Sequence, residues 1–375
     1  MAGIYIHIPF CKQACTYCDF HFSTSLKKKA DLVSAIIQES DLRKEYLQSE
    51  MVHSIYFGGG TPSLLEEAEL LQIMENLYQN LCISEEAEIT FEVNPDDLSM
   101  KKLLELKRAG VNRLSIGIQS FFDKDLAWMN RAHNSETAHA AIKNSKNAGF
   151  DNISIDLIYG SPTTTDEMWE ENLSSFFSYD LPHLSSYCLT VESRTKLAHD
   201  IAKGKSAAPD DEAAVRQYNM LQKKISENGY EQYEVSNFCK EQYYSKHNTS
   251  YWQNIKYLGL GPSAHSFNGN SRQWNVSNNS LYIHSIGKGT VPMEIEILSE
   301  KEKFNEYLMT MMRTKWGADL AYLKATFDRD LCNRFFDSVS KRIIADNCVL
   351  EEGILRIPDK NLMLSDLIVR ELFLD

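Results

Sequence analysis

Apolar and polar residues alternate in six short runs along the first 235 residues of the chain. Such alternation is typical of strands, and it predicts them at 4–8, 54–57, 89–93, 113–118, 153–159 and 184–190. Segments with helical periodicity separate these runs, at 32–47, 64–81, 103–109, 136–148 and 166–177. Because parallel strands need crossover connections, six strand–helix units predict a parallel sheet with helices outside it.

Polar side chains occupy one face of strand after strand. Ser154 and Asp156 alternate with apolar residues, and Glu92 lies on the polar side of the run at 89–93. A doubly wound sheet would be apolar on both faces, and a barrel usually fills its lumen with branched apolar side chains. The pattern therefore predicts an α/β fold with a barrel-like sheet whose lumen holds a polar ligand. Gln119 and Thr190 come at strand ends, and barrel sites lie at the carboxyl-terminal rim.

The pattern changes beyond residue 235. Residues 236–294 are rich in Asn, Ser, Tyr and Gly and have weak periodicity, which predicts a loop-rich linker region after a barrel domain at 1–235. Residues 295–375 predict a small helical domain, in which Ser299 and Glu302 form a capping-box pattern ahead of an apolar stripe. Two apolar runs at 354–357 and 362–364 flank a turn-like segment, and we expect them to form a hairpin.

Composition and charge narrow the classes of function. The chain has 375 residues, 43% of them apolar, and a net charge of −13. A broad nucleic-acid surface needs a basic face, so we expect no nucleic-acid partner. The sequence has neither an apolar run of about 18 residues, as a membrane span needs, nor a basic segment ahead of its first apolar residues. Eight cysteines in a core-forming chain favour ligands in a reducing compartment, and we expect a cytoplasmic protein.

Three of these cysteines lie close together, in the segment Cys11-Lys-Gln-Ala-Cys15-Thr-Tyr-Cys18. Thiolates are soft ligands that suit iron–sulfur clusters or zinc. A cubane with three cysteine ligands keeps one iron open for an exchangeable ligand. The alternative is a zinc site with His21 as the fourth ligand, although structural zinc sites usually have two separated ligand pairs.

Two motifs carry a resemblance to a known family. The segment from Tyr5 to Cys11 with its CxxxCxxC spacing, and Phe57-Gly-Gly-Gly-Thr-Pro-Ser63, resemble the radical S-adenosylmethionine (SAM) family. Within it, they resemble the branch of oxygen-independent coproporphyrinogen III oxidase and the heme chaperones. The resemblance runs along essentially the whole chain. It implies a partial (β/α)6, TIM-like barrel with a small, winged-helix-like C-terminal domain, and a [4Fe–4S] cluster on Cys11, Cys15 and Cys18 with SAM at the open iron.

The resemblance also implies which residues contact SAM. The glycine-rich loop would hold its amino end, and side chains of both charge signs would meet its zwitterion and ribose. The implied contacts are Tyr5, Tyr17, Gly59, Gly60, Thr61, Glu92, Gln119, Arg131, Asp156 and Thr190. From the residues alone, the loop could equally be a tight turn without a ligand, and the polar side chains could be buried ion pairs.

The segment His247-Asn-Thr-Ser-Tyr-Trp252 resembles the HNxxYW signature of the heme chaperones. An imidazole can ligate heme iron and aromatic side chains can cover the macrocycle, so the resemblance implies that His247 is a heme ligand. Taken alone, a single histidine is more often hydrogen-bonded than ligating. We expect a structural role for His7, and core positions rather than heme ligation for Met309, Met311 and Met312.

Two departures from the oxidase favour the chaperone. The oxidase has a fourth cysteine two residues past the third, where this chain has Phe20, and a long arm before the cluster loop, where this chain has ten residues. We therefore expect a protein that binds heme and passes it to acceptor haemoproteins, with peripheral membrane contact where the acceptor is respiratory. The sequence identifies no electron donor. The alternative is radical decarboxylation of coproporphyrinogen III to protoporphyrinogen IX.

Overall fold

Six parallel strands with helical crossovers form the amino-terminal part of the computed structural model, which describes residues 1–344 and 347–374. The strands follow one another in chain order, which confirms the predicted partial (β/α)6 barrel. The sixth strand ends at Cys188, so Thr190 lies just beyond it. The elements are β1 (Ala2–Ile8), α1 (Lys29–Leu42), β2 (Val52–Gly59), α2 (Glu67–Asn80), β3 (Ile83–Val93), α3 (Met100–Arg108), β4 (Arg113–Gln119), α4 (Asp123–Trp128), α5 (Ser135–Asn147), β5 (Asn152–Tyr159), α6 (Asp166–Ser178) and β6 (His183–Cys188).

The two faces of these strands differ as the alternation predicts. Ile55, Phe57 and Ile89 belong to one large apolar core shared with the surrounding helices. Glu92 and Asp156, from the opposite face of β3 and β5, line an internal cavity. Burial of the apolar face holds the helices against the sheet, because removing apolar surface from water contributes about 25 cal/mol per Å².

The segment at 236–294 is part of the sheet, so its interpretation as a linker is wrong. Its strand β9 pairs in parallel with β1, and β8 pairs antiparallel with β6, so both edges of the six-stranded sheet are extended. β12 crosses the predicted boundary at 294, and β7, from the predicted barrel domain, pairs with β8 across the boundary at 235. Strands of three to five residues are too short to show a clear period of two, so the alternation of polar and apolar residues did not predict them. The elements are α7 (Lys196–Ala202), α8 (Asp211–Glu227), β7 (Glu231–Gln232), β8 (Asn237–Cys239), α9 (Lys246–Trp252), β9 (Lys256–Leu260), β10 (His265–Phe267), β11 (Ser271–Asn275), α10 (Asn279–Ile286) and β12 (Met293–Ile297).

A buried ion pair fastens this added sheet to α1. Glu39 accepts hydrogen bonds from the Gly261 amide (2.9 Å) and from the Tyr282 hydroxyl (2.6 Å). Arg43, one turn later, lies 3.2 Å from Glu39 and donates to the Gly259 carbonyl at 3.0 Å. Because both charges are buried and hydrogen-bonded, removing either one would leave the other uncompensated.

The carboxyl-terminal part combines helices with a three-stranded sheet of order β13-β15-β14. Ser299 and Glu302 form the predicted capping box of α11. The predicted hairpin is wrong in part, because residues 362–364 belong to a 3-10 helix (Asp359–Leu364) and β15 instead pairs with β14. Residues 345, 346 and 375 of the predicted domain lie outside the described residues. The elements are α11 (Glu300–Met311), β13 (Ala318–Asp319), α12 (Leu320–Thr326), α13 (Arg329–Ile344), β14 (Val349–Glu351), β15 (Ile354–Arg356) and α14 (Ser365–Arg370).

The helices range from six to seventeen residues, and their lengths suit packing on the sheet. Within residues 1–344 and 347–374, no helix is both long and apolar enough to cross a membrane.

Replacing the buried carboxylate at position 39 tests how this added sheet is held. Glu39→Gln keeps the shape of the side chain but leaves Arg43 without its counter-charge, so we expect a loss of about 3 kcal/mol in the free energy of unfolding. Denaturant unfolding of the metal-free protein measures it. Lys101→Ala, which removes an exposed pair with Glu105, is the control and should change stability by less than about 0.5 kcal/mol. Equal stability of the two variants would contradict the role of this ion pair.

Candidate functional site

The cysteine segment forms a loop directly after β1. The Cys11 amide donates to the Ser23 carbonyl (3.1 Å), and the Thr16 amide donates to the Met129 carbonyl (3.1 Å), which ties the loop to itself and to the end of α4. Cys11, Cys15 and Cys18 are free thiols, and all three line the rim of a cavity of about 570 Å³. The loop therefore presents three thiols to one opening of the barrel lumen.

Nine of the ten predicted SAM contacts line this same cavity. Four of them lie on strands β2 to β5 and the other five on the segments that follow β1, β2, β4 and β6, as a site at the carboxyl-terminal rim requires. They are Tyr17, Gly59, Gly60, Thr61, Glu92, Gln119, Arg131, Asp156 and Thr190. Tyr5 is the exception: it lines a neighbouring cavity, and its hydroxyl lies 3.2 Å from Nδ1 of His7. The geometry does not support a direct contact between Tyr5 and a ligand among the cysteines.

Two carboxyl groups are buried in the lumen. Glu92 accepts hydrogen bonds from the Tyr56 hydroxyl (2.7 Å) and from the Gly59 amide (3.2 Å). Burial raises the pKa of Glu92 to about 7, and burial likewise raises the pKa of Asp156 to about 6. Burial disfavours ionisation of both groups, so a cationic ligand that pairs with them would be stabilised there.

Arg131 lies between the cysteine loop and these carboxyl groups. One guanidinium nitrogen is 3.3 Å from Sγ of Cys15, and the other donates to Oδ1 of Asn94 (2.7 Å) and to the Gly117 carbonyl (2.8 Å). Its Nε is buried without a hydrogen-bond partner in the described residues. Arg131 also lines the cavity, and a guanidinium in its wall favours an anionic group of a ligand at this point.

The glycine-rich loop passes close under the cysteine loop. The Gly60 amide donates to the Ile8 carbonyl (2.9 Å), and the Thr61 amide donates to the Phe10 carbonyl (2.7 Å). A Cβ at position 60 would lie 2.7 Å from that second carbonyl oxygen, and Gly59 has a φ of +104°. These glycines are required for close approach of two backbones, as a tight turn needs, and they also expose their backbone to the cavity.

His247 does not present a free ring nitrogen, so this geometry does not favour its predicted role as a heme ligand, which stays a prediction. It is 1% exposed on α9. Its Nδ1 lies 2.9 Å from Oγ of Ser54 and its Nε2 lies 2.8 Å from the Tyr251 hydroxyl. Its ring stacks on Tyr56, with 5.1 Å between centroids, and burial lowers its pKa to about 3. The side chain is packed against the first half of β2, where it completes the floor of the barrel.

A second cavity of about 710 Å³ adjoins the first. The two share Asp19, Phe20 and Tyr187, so they form neighbouring compartments. The other three defined positions of the HNxxYW motif, Asn248, Tyr251 and Trp252, line it, although His247 does not. It is also lined by Tyr257, Phe267, His265, Met309, Arg272 and Arg313. Met309, expected in the core, is 36% exposed and faces this cavity, whereas Met312 is fully buried.

Sequence reasoning missed several residues that shape the two cavities. Tyr56 and Ser115 lie on the polar face of predicted strands, so the alternation contained a signal for them. Asn94 follows β3 directly and could have been found in the same way. No local pattern marks Arg272 or Arg313, because the fold alone brings them to the second cavity.

Comparisons with known proteins agree with this geometry. A model of the radical SAM superfamily matches residues 5–175. The heme chaperone HemW of Bacillus subtilis (strain 168) is 35% identical over 344 residues, which cover 91% of this chain and 90% of that protein. HemW of Mycobacterium tuberculosis (strain H37Rv) is 32% identical over 328 residues, with 86% and 84% covered. This chain belongs to the HemW family of radical SAM proteins.

A solved structure shows the same fold for this HemW-family chain. Coproporphyrinogen III oxidase (HemN) from Escherichia coli superposes with a TM-score of 0.86, covering 99% of this chain and 90% of that chain, at 21% identity. Identity at this level establishes the fold and not the activity. The winged-helix-like C-terminal part and the added sheet are included in the match.

Membership of the superfamily implies a [4Fe–4S] cluster and SAM. The donor set fits both groups: burial raises the pKa of Cys11 and, to about 11, that of Cys18, so thiolates at these positions need a cationic partner such as iron. In the zinc alternative His21 would be the fourth ligand; its Nε2 lies 2.7 Å from Oδ1 of Asn279, which leaves Nδ1 as the ring nitrogen for a metal.

Replacing His247 tests whether it is a packing residue. His247→Ala removes a stacked ring and leaves the Ser54 and Tyr251 hydroxyls without their partner, so we expect a loss of about 2–3 kcal/mol in the free energy of unfolding. Unfolding of the metal-free, heme-free protein measures this change. The exposed His284→Ala is the matched control. A stability equal to that of the control would contradict the packing role.

Proposed function

We propose that this protein is a heme chaperone: it binds heme, carries a [4Fe–4S] cluster with SAM, and passes the heme to acceptor haemoproteins. The observation that carries the proposal is the second cavity, which is large, lined by aromatic side chains and adjacent to the cluster compartment. The similarity to HemW proteins over most of their length supports the same assignment.

The first cavity is proposed to hold the cluster on Cys11, Cys15 and Cys18, with SAM beside it. Arg131 would pair with the SAM carboxylate, since this cation lines the cavity beside Cys15. Glu92 and the backbone of the glycine-rich loop would receive the ammonium group, and Asp156 with Gln119 would receive the ribose hydroxyls. When bound, the reduced cluster can supply an electron for cleavage of SAM. The chain's own residues bind, orient and shield it.

The second cavity is proposed to hold heme. A porphyrin has two apolar faces and two propionates, so its site needs aromatic cover and cations at one edge. Tyr251, Trp252 and Tyr257 provide aromatic surface, and Arg272 and Arg313 provide the cations. The Arg313 guanidinium lies 5.3 Å from the centre of the Trp252 ring, so cation and aromatic surface are contiguous.

The proposed partners follow from this assignment. Acceptors are apo-haemoproteins, including respiratory ones, which would bring the chaperone to the membrane surface as a peripheral protein. We propose a cytoplasmic location and no nucleic-acid partner, in keeping with a net charge of −13.

Heme titration followed by transfer tests the proposed function. Ferric heme added to the anaerobically reconstituted protein should give a saturable absorption change, and the loaded protein should then convert an apo-haemoprotein such as apomyoglobin to its holo spectrum. Arg313→Gln should weaken heme binding severalfold by removing a propionate partner, whereas the exposed Arg329→Gln should not. Absence of saturable binding, or formation of protoporphyrinogen from coproporphyrinogen III with SAM and a reductant, would overturn the proposal.

The buried carboxyl group of Glu92 predicts a pH dependence of SAM binding. Its pKa of about 7 means that it is protonated below neutral pH, and only the ionised form pairs with the SAM ammonium. The apparent dissociation constant should therefore rise about tenfold between pH 8 and pH 6, since each unit below the pKa costs about one decade. Anaerobic equilibrium dialysis measures it.

Two matched variants distinguish the titration of Glu92 from a general effect of surface charge on SAM binding. Glu92→Gln should bind SAM more weakly and lose most of the dependence between pH 8 and pH 6, whereas the exposed Glu86→Gln should retain the dependence of the unmodified protein. A dependence that persists in Glu92→Gln would assign the titration to another group.

A further inference from the structure

Four histidines lie in or next to the second cavity, and three of them have hydrogen-bonded rings. Nδ1 of His7 lies 3.2 Å from the Tyr5 hydroxyl, and its Nε2 lies 3.0 Å from the His21 carbonyl. His21 is bonded to Asn279 through Nε2, and both ring nitrogens of His247 are engaged. The fourth, His265, is exposed and lines the cavity. In the part of the chain that the structure describes, neither of its ring nitrogens has a hydrogen-bond partner.

The backbone at His265 is fixed by its contacts. A Cβ at Gly259 would lie 2.0 Å from the His265 carbonyl oxygen, so only glycine permits this crossing of β9 and β10. The Gly259 carbonyl in turn accepts from the buried Arg43, and Ala264 next to His265 is 1% exposed. The ion pair on α1 thus positions the strand that carries this imidazole.

The surroundings of His265 place its ring against Trp274 and favour its neutral form. Its ring stacks on Trp274, the residue opposite it on β11, with 6.0 Å between centroids. Arg272, held at 2.6 Å by Glu306, also lines the cavity two residues away on the same strand. Burial, and then the charge of Arg272, lower the pKa of His265. A neutral imidazole is the form that can donate a lone pair to iron.

We propose that His265 supplies an axial ligand to the iron of heme bound in the second cavity. This inference rests on the proposed function. A ring nitrogen of neutral His265 forms the coordinate bond and displaces a water ligand from ferric heme, without any change in oxidation state or proton count. The heme would then lie against Trp252 and Tyr257, with Arg272 close enough on the neighbouring strand to serve a propionate.

Ligation by His265 is tested by optical and electron paramagnetic resonance spectra of heme-loaded variants of the full chain. His265→Ala should bind ferric heme at least tenfold more weakly, with a spectrum that has lost its imidazole-ligated features, and added imidazole should restore them. His265→Cys should keep a ligand and give a thiolate-type spectrum instead. The exposed His284→Ala should match the unmodified protein in both affinity and spectrum.

The outcomes distinguish this inference from the proposed function. If the unmodified protein binds no heme, the proposed function fails. If it binds heme and His265→Ala has the same spectrum, the ligand assignment is overturned while the chaperone proposal stands. Loss of the imidazole features in a folded His247→Gln variant, with His265→Ala unchanged, would return the ligand role to His247.

Discussion

The structure depends on charged groups that are buried inside a barrel. Glu92, Asp156 and Arg131 occupy a lumen that most barrels fill with apolar side chains, and each is desolvated there. Such groups are stable only if something of opposite charge and matching hydrogen-bond capacity lies among them. The three thiols at the rim likewise need a cation such as iron beside them to be stable as thiolates. A zwitterionic ligand beside a cluster satisfies both demands, which explains why cysteine loop and polar lumen occur together.

The segment after residue 235 turns this barrel into a molecule with two compartments. β9 extends the sheet beyond β1, and the His247 helix packs under the lumen. The same segment then builds the walls of the second cavity with β10, β11 and the first helix of the carboxyl-terminal part. The buried pair of Glu39 and Arg43 holds these strands to the barrel. The proposed heme site is therefore formed by tertiary structure beside a cofactor site that the ends of the barrel strands and the loops after them provide.

Alternation and local motifs predicted the features that depend on residues close together in the chain. The parallel strands, the polar lumen face and nine of the ten implied SAM contacts follow from residues within one strand or loop. The features that the sequence did not predict have a shared cause. Short strands such as β10 owe their conformation to neighbours, not to periodicity. His247 was chosen by motif, but a motif does not state that Ser54 and Tyr251 occupy its ring nitrogens. His265 and Arg272 become neighbours of the cavity only through the pairing of β10 with β11.

The central claim is that three cysteines hold a cluster whose fourth iron accepts SAM from the polar lumen. Electron paramagnetic resonance of the anaerobically reconstituted, reduced protein tests it most directly when recorded with and without SAM. The account predicts iron and labile sulfide in equal amounts, and a cluster signal that shifts when SAM is added. The same signal should be absent from Cys15→Ala and retained in Cys82→Ala, since Cys82 is exposed and lies outside the lining of the cavity. Zinc without labile sulfide, or a cluster signal indifferent to SAM, would contradict the account.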